Sequence, residues 1–178
     1  VAELPELRRE VRPGLACPLK GRVARAMAQA ARAHLPGFVT PMAAVAGAGA
    51  DAVLAAMTEV PGLRRAHVNN GGDIALFLAP GAPPFHLGIV VDPTAPASPG
   101  GLRIGPETRW RGVATSGARG RSHSLGIADS VTVLARDAPA ADVAATLIAN
   151  AVDLPGDDPA IRRAPASSLA PDSDLGDR

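Results

Sequence analysis

The spacing of apolar residues predicts three main helices, and the first of them is amphipathic. Within residues 18–35, Leu19, Val23 and Met27 form one apolar stripe, while arginines lie on the opposite face. Apolar residues that recur every three or four positions are typical of a helix with one buried face. We therefore expect this helix to pack on the body of the protein through that stripe.

The second predicted helix is rich in small residues. It is expected to begin at Thr40 as the N-cap, with Pro41 in its first turn, and to end near Met57. Gly47 and Gly49 each lower helix stability by up to about 1 kcal/mol relative to alanine. Such a concentration of glycine and alanine indicates that a neighbour packs very close to this backbone. That neighbour is either another helix or a ligand.

Five short segments have the composition and alternation of strands, and a last helix follows them. The predicted strands are residues 66–68, 74–78, 86–92, 109–115 and 129–135. The first two form a hairpin in which an Asn-Gly pair supplies the left-handed residues of the turn. A loop rich in Pro, Ala, Ser and Gly extends from the third strand to residue 101. The last helix is predicted from Asp137 and Pro139 to about Asp153.

Composition narrows the class of protein. The chain has 178 residues, which suits one domain or two small interlocked lobes, and 47% of them are hydrophobic. Only 2% are aromatic and the net charge is +1. These values argue against nucleic acid as a partner, because such proteins rely on basic surfaces and on bases stacked on aromatic rings.

The single cysteine, the absence of long apolar runs and the two ends of the chain indicate where the protein is located and how it is divided into domains. Cys17 is the single cysteine, which excludes an internal disulfide and a cysteine-based zinc site. No apolar run approaches the roughly 18 residues that a membrane helix needs, and no signal peptide opens the chain, so we expect a cytoplasmic protein. The chain begins at Val1 without a methionine, which leaves open a missing N-terminal part. Residues 1–152 are predicted to form one domain and residues 153–178 a loose tail.

The stretch NNGGD at residues 69–73 has two interpretations. It is either a simple hairpin turn or part of a ligand pocket, because glycines let a ligand approach the main chain and Asp73 adds a carboxylate.

The last helix carries a second candidate site. Asp142 and Thr146 are four residues apart and therefore lie on one helix face. Either they serve the helix itself, through its dipole and a bond to a backbone carbonyl, or they share one Mg²⁺. Mg²⁺ prefers oxygen ligands and keeps waters or substrate phosphates in its remaining positions.

The loop ATSGARGRSHS at residues 114–124 is either a polar turn or an anion site beside a general base. Arg119 and Arg121 can pair with phosphate oxygens, and Ser116 and Ser122 can donate hydrogen bonds to them. His123 is the side chain of this loop that titrates near neutral pH.

Taken in order, these stretches resemble the ApbE family, which transfers FMN from FAD to a threonine of a target protein. VNNGGDIAL is similar to the family's Asn-x-Gly-Gly-Asp-Ile hairpin, and GVATSG to its Ala-Thr-Ser-Gly strand end. DSVTVLARDAPAADVAATLIANAV is similar to its last strand and its Ala-Asp-x-x-x-Thr helix, and AVAGAGADAV is a weaker match to its small-residue helix. The sequences of these segments are most similar to an uncharacterised ApbE-like branch. The resemblance covers about residues 38–152 and implies a T-fold-related α+β fold of antiparallel sheets packed with helices.

The resemblance also implies roles for single residues. Mg²⁺ would be held by Asp142, Thr146 and a carbonyl near Ala43, and His123 would serve the transfer step. FAD or FMN would be bordered by Asn70, Gly71, Gly72, Asp73, Thr115, Ser116 and Gly117, with Arg119 and Arg121 on its phosphates.

Three departures from the family pattern bear on activity. The histidine of the family opens a His-x-x-Asp-Pro segment, which SLGIAD replaces here. The family's lysine in the small-residue helix is Ala46, and Ala118-Arg119 replaces an acidic-aromatic pair. We therefore expect Mg²⁺-dependent binding of a flavin or related nucleotide, with FMN transfer to an acceptor protein that is slow or absent. Phosphoanhydride hydrolysis and a non-catalytic nucleotide- or anion-binding module stay open, as does the oligomeric state.

Overall fold

The fold is α+β, as predicted. The computed structural model describes residues 2–15, 17–90, 100–120, 123–156 and 158–178. Within them the chain forms six antiparallel strands in two sheets and five helices.

The helices are α1 (Leu4–Leu7), α2 (Arg22–Arg32), α3 (Val45–Met57), α4 (Ala138–Ala151) and α5 (Ala166–Leu169), and a 3₁₀ turn at Pro41–Ala44 leads into α3. The strands are β1 (Arg65–Asn70), β2 (Asp73–Leu78), β3 (Phe85–Ile89), β4 (Gly100–Ile104), β5 (Gly112–Ser116) and β6 (Val131–Ala135). In the described part of the chain, none of these helices has the length and apolar character needed to span a membrane.

Four strands form the main sheet, in the order β1-β2-β5-β6, and β3 pairs with β4 in a separate hairpin. α3 packs against β1 and β2, and α4 packs against β5 and β6. The two helices also pack against each other, so both cover the same face of the sheet. This arrangement brings the end of the β1–β2 hairpin close to the first turn of α3 and to the middle of α4.

The core consists of aliphatic side chains, many of them alanines. Met27, Val39 and Val143 are buried together between α2, the 3₁₀ turn and α4. Leu76, Phe85 and Ile104 form a second cluster, in which the β3–β4 hairpin packs on the main sheet. With so few aromatic residues, backbones must approach closely to fill the space, because small side chains leave little volume between elements.

The small-residue helix packs against another helix at Gly47. A Cβ atom at this position would lie 2.9 Å from the backbone nitrogen of Pro139 and would collide with the carbonyl of Ala138. Of the two neighbours that its composition left open, the structure therefore places helix α4 at Gly47. The glycine allows the first turns of α3 and α4 to meet.

Most predicted elements are present, but three details differ from the prediction. In α2, Val23 of the predicted stripe is exposed, and the buried face consists of Ala24, Met27, Ala28 and Ala31. The other two differences are at Thr40 and at the hairpin turn. Residues 91–92 of the third predicted strand lie outside the described residues. Thr40 precedes the 3₁₀ turn, but its hydroxyl donates to Asp174 and does not cap the helix. The left-handed residues of the hairpin turn are Gly71 and Gly72, with φ of 74° and 117°, and both asparagines lie within β1. The Asn-Gly prediction was therefore wrong by one residue, because pairing of Asn70 with Asp73 extends the ladder to the strand ends.

Strand β4 was not predicted. Its first residues, Gly100 and Gly101, have a loop-like composition, but they pair with Ile89 and Gly88 of β3. The pairing partner and the burial of Ile104 stabilise this strand, since β-structure depends more on cross-strand packing than on intrinsic preference.

The end of the chain contacts the segment before α3. Ala166 is buried, and the guanidinium of Arg178 lies 3.6 Å from the centre of the Phe38 ring. Asp174 accepts the hydrogen bond from Thr40, which is the one polar residue found buried among the described residues. Residues 166–178 therefore form part of the wall around the site described next.

Candidate functional site

One face of α4 lines a cavity of about 300 Å³. Asp142, Thr146 and Asn150 follow one another at intervals of four residues, so their side chains lie on the same face, and all three line this cavity. We call it the acidic cavity.

The remaining walls of the acidic cavity come from distant parts of the chain. Asp73 enters from the first residue of β2, Ala43 from the 3₁₀ turn, His123 from the loop before β6, and Asp174 from the C-terminal segment. The structure therefore brings together all three residues predicted to hold the metal and the residue predicted to be catalytic.

Asp142 also binds the first turn of α3. Its Oδ2 accepts a hydrogen bond of 2.9 Å from the backbone N–H of Gly47. Burial raises the pKa of Asp142 from 3.8 to about 7, and the charge of Asp73 adds to this rise, although the N–H groups of Gly47 and Ala46 oppose it.

A carboxylate of α3 likewise contacts a backbone N–H at the start of α4. Asp51 of α3 accepts a hydrogen bond from the N–H of Ala138, the first residue of α4. Burial, and then the charge of Asp137, raise the pKa of Asp51 to about 6. Each helix thus places a carboxylate at the N-terminus of the other, where the helix dipole favours negative charge. This packing role of Asp142 is independent of any ligand.

The donor set of the acidic cavity fits a hard cation. Burial also raises the pKa of Asp73, to about 6, so two partly buried carboxylates here disfavour their own charged forms. A divalent cation would compensate both charges, and the hydroxyl of Thr146 and the carbonyl of Ala43 are further oxygen donors of the kind that Mg²⁺ takes. Within the described ranges, no group of three or more His, Cys, Asp or Glu side chains is arranged for metal binding.

A second, larger cavity of about 610 Å³ adjoins the turn of the β1–β2 hairpin. We call it the hairpin cavity. Seven of the predicted cofactor-binding residues line it: Gly71, Gly72, Asp73, Thr115, Ser116, Gly117 and Arg119. Its apolar side consists of Leu87, Ile89, Leu102 and Val113. Among the described residues, Asp73 is the one that lines both cavities.

The backbone around the hairpin cavity is held in place by local contacts. The hydroxyls of Thr115 and Thr132 are 2.9 Å apart across β5 and β6. The side chain of Asn69 accepts a hydrogen bond of 2.8 Å from the N–H of Gly72. Gly117 has a φ of 144°, and a Cβ atom there would lie 2.5 Å from the carbonyl oxygen of Asp129, so this turn requires glycine.

Asn70 lies in different surroundings, and Arg119 makes a further contact besides lining the hairpin cavity. The amide of Asn70 donates a 3.1 Å hydrogen bond to the carbonyl of Ala46, which ties the hairpin to α3, and Asn69 lines the hairpin cavity instead. Arg119 forms an ion pair of 3.1 Å with Asp129 at the rim. Arg121 and Ser122 lie outside the described residues.

Sequence reasoning missed Asn150, Asp174 and Asn69. The signal for Asn150 was present, because it continues the four-residue spacing of Asp142 and Thr146. Asp174 carried no such signal, since only folding brings the C-terminal segment to the cavity.

Comparison with known proteins supports the resemblance. A family model described as AbpE bacteria matches residues 1–178. A UPF0280 protein of Methanothrix thermoacetophila is 44% identical over 115 residues, which are 64% of this chain and 46% of the relative. A UPF0280 protein of Methanopyrus kandleri is 42% identical over 146 residues, which are 80% of this chain and 54% of the relative.

The chain spans about half the length of these curated relatives. The family model covers it from end to end, and the hairpin, strand end and last helix that carry the resemblance contribute lining residues to the two cavities. The chain therefore belongs to the AbpE bacteria family, an ApbE-like family.

Proposed function

We propose that this protein binds a flavin or a related nucleotide diphosphate together with Mg²⁺. The observation that carries the proposal is the position of Asp73, which lines both an acidic cavity with oxygen donors and a larger cavity with an apolar wall. A nucleotide diphosphate has a flat ring system at one end and charged phosphates at the other, and these two cavities suit those two parts.

The hairpin cavity has the size and lining of a small-molecule site. Its volume of about 610 Å³ lies in the range of ligand pockets, which are mostly apolar with a few polar groups. Leu87, Ile89 and Leu102 would contact the ring, and the hydroxyls of Thr115 and Ser116 would donate to phosphate oxygens. The glycine turn lets the ligand approach the backbone.

Asp142, Thr146 and the carbonyl of Ala43 would hold the cation in the acidic cavity, and Asp73 would face it from β2. When bound, Mg²⁺ neutralises charge on the phosphates and polarises the reacting phosphorus. Asp142 would keep its bond to Gly47 through one carboxylate oxygen, which orients the other oxygen.

His123 is the proposed general base. It would take the proton from an incoming hydroxyl while the oxygen forms a bond to phosphorus and the phosphoanhydride bond breaks, so that AMP leaves from FAD. With water as the acceptor the protein would be a hydrolase, and with a protein threonine it would be a transferase. The missing Asp-Pro segment and the alanine at position 46 favour slow transfer or none.

A non-catalytic binding module is the second candidate, and the exposure of His123 favours it. A general base works best in a site closed to bulk water, because water weakens the electrostatic interactions on which the transition state depends. An exposed imidazole beside the cavity is compatible with binding but poorly shielded for chemistry.

Binding measured with and without Mg²⁺ tests the proposal. FAD, FMN and ADP are titrated by isothermal calorimetry in Mg²⁺ and in EDTA, and released AMP is measured by chromatography. We expect Mg²⁺-dependent binding that Asp142→Asn weakens at least about tenfold, since even changes behind a metal ligand cost 10- to 100-fold in affinity.

Asp51→Asn is the matched control. Asp51 is also a partly buried carboxylate at a helix N-terminus, but it is absent from the described linings of both cavities. Equal losses in both variants would assign Asp142 to helix packing alone, and absence of binding by all three nucleotides would overturn the proposal. AMP release separates the enzyme from the binding module.

A further inference from the structure

Asn150 joins the last turn of α4 to the loop that carries His123. Its Oδ1 accepts a hydrogen bond of 2.9 Å from the N–H of Leu125 and lies 3.4 Å from the hydroxyl oxygen of Ser124. Asn150 itself lines the acidic cavity beside His123. One side chain therefore contacts both residues that follow the proposed base.

The same loop packs closely on the end of α4. The N–H of Ile127 donates a 2.8 Å hydrogen bond to the carbonyl of Val152. A Cβ atom at Gly126 would lie 2.6 Å from that carbonyl oxygen, so the loop touches the helix backbone there. These contacts hold the far side of the loop, while the contact with Asn150 lies nearest to His123.

Helix α4 thus acts as a common support. Asp142, Thr146 and Asn150 lie on one face at four-residue intervals, which correspond to about 6 Å of rise each. The first two are the proposed cation ligands, and the third holds the loop of the proposed base. The separation between base and cation is therefore set by a rigid element and one amide side chain.

We infer that Asn150 is a positioning residue that fixes His123 relative to the cation side of the acidic cavity. The inference rests on the proposed function, since it assumes a cation at Asp142 and Thr146. Asn150 acts through its acceptor oxygen, so aspartate preserves the contact and alanine removes it.

Paramagnetic relaxation by Mn²⁺ tests this on the full chain. Mn²⁺ replaces Mg²⁺ at oxygen-rich sites and broadens the NMR signals of nearby nuclei. The signals of the Thr146 methyl and the His123 ring are followed, with His123→Gln used to assign the ring. His67 of β1, whose ring packs against Phe85 of β3 and which is absent from the described lining of the acidic cavity, serves as the reference.

In the wild type we expect Mn²⁺ to broaden both Thr146 and His123 more strongly than His67. In Asn150→Ala the broadening of Thr146 should persist, while that of His123 falls to the level of His67. Asn150→Asp should restore it. Ile148→Ala, an exposed change on the same helix turn, should behave as the wild type.

The outcomes separate the two ideas. If Mn²⁺ leaves Thr146 and His123 unbroadened in the wild type, the cation site and the inference built on it both fail. If both are broadened in the wild type and His123 stays broadened in Asn150→Ala, the proposed function survives and the positioning role is overturned. Persistent broadening of Thr146 in that variant also shows that it has folded.

Discussion

Arg119 is a residue whose structural and functional contributions can be separated. It lines the hairpin cavity, and its Nε bonds Asp129 across the loop. Both side chains of this ion pair are more than half exposed, at 56% and 60%. Exposed ion pairs contribute about 0–1 kcal/mol to stability, because water and salt screen them. A loss of ligand affinity without a loss of stability would therefore identify a binding role.

Arg119→Gln should weaken binding of FMN about tenfold or more, since a hydrogen bond to a charged group contributes about 1.5–3 kcal/mol. The melting temperature should change little. Asp129→Asn breaks the same ion pair but keeps the guanidinium, so its affinity should stay close to that of the wild type. Calorimetric titration and thermal melts of both variants check this. Equal affinity losses in the two variants would mean that the ion pair only orders the loop.

At the scale of elements, the contact between α3 and α4 positions the site. Asp142 contacts the N–H of Gly47 in the first turn of α3, Asp51 contacts the N–H of Ala138 at the start of α4, and Gly47 lies where the two backbones meet. The metal-ligand candidates of α4 therefore keep their place only if α3 stays in close contact. Helix propensity opposes this arrangement, because alanine would favour α3 at both of its glycines.

Gly47→Ala should destabilise the protein by about 1–3 kcal/mol or more, since an added methyl in tight packing forces the backbones apart. Gly49→Ala is the matched control. Its Cβ would lie 3.4 Å from the side-chain nitrogen of Asn70, a small adjustment that gained helix propensity offsets. Urea unfolding measures both. If the two variants have similar free energies of unfolding, the close approach at Gly47 is not a constraint.

At the scale of the whole molecule, ionisable side chains from distant segments of the chain line the acidic cavity. Asp73, Asp142 and Asp174 face it from β2, α4 and the C-terminal segment, and His123 faces it from a loop. Burial raises the pKa of both Asp73 and Asp142, and the charge of Asp73 adds to the rise at Asp142. Without a cation, the folded protein should therefore lose stability as pH rises from the ordinary pKa of these two groups to their raised pKa values.

The protein without divalent cations should become less stable as pH rises from about 4 to about 7. An unfolded Asp142 releases its proton near its ordinary pKa of 3.8, whereas the folded residue keeps its proton until about pH 7. Over that window the unfolded state is favoured by up to about 1.4 kcal/mol per pH unit for each such group.

Urea unfolding in EDTA across this range measures the effect. Asp142→Asn should reduce the slope, and Mg²⁺ at pH 8 should restore stability. A stability that rises from pH 5 to pH 7.5 equally in both proteins would contradict the prediction.

The sequence by itself determined the local elements and the order of the motifs. The burial of Met27 in α2 and the start of α4 at Asp137 depend on residues close in the chain, so local patterns revealed them. Val23 of the predicted stripe is nevertheless exposed, because tertiary packing buries the face of Ala24, Met27 and Ala31. Asp137 accepts a hydrogen bond from the N–H of Ala140 at the start of α4. The four-residue spacing of Asp142 and Thr146 also placed both on one face without reference to any other segment.

Only the tertiary structure decided that this face of α4 lines a cavity, and which other segments line the same cavity. β4 exists because β3 pairs with it, and Asp73 lines both cavities because the hairpin ends beside α4. Asp174 reaches the acidic cavity through a contact with Thr40, which is 134 residues away in the chain. Such contacts depend on packing between distant segments, and no local pattern of residues encodes them.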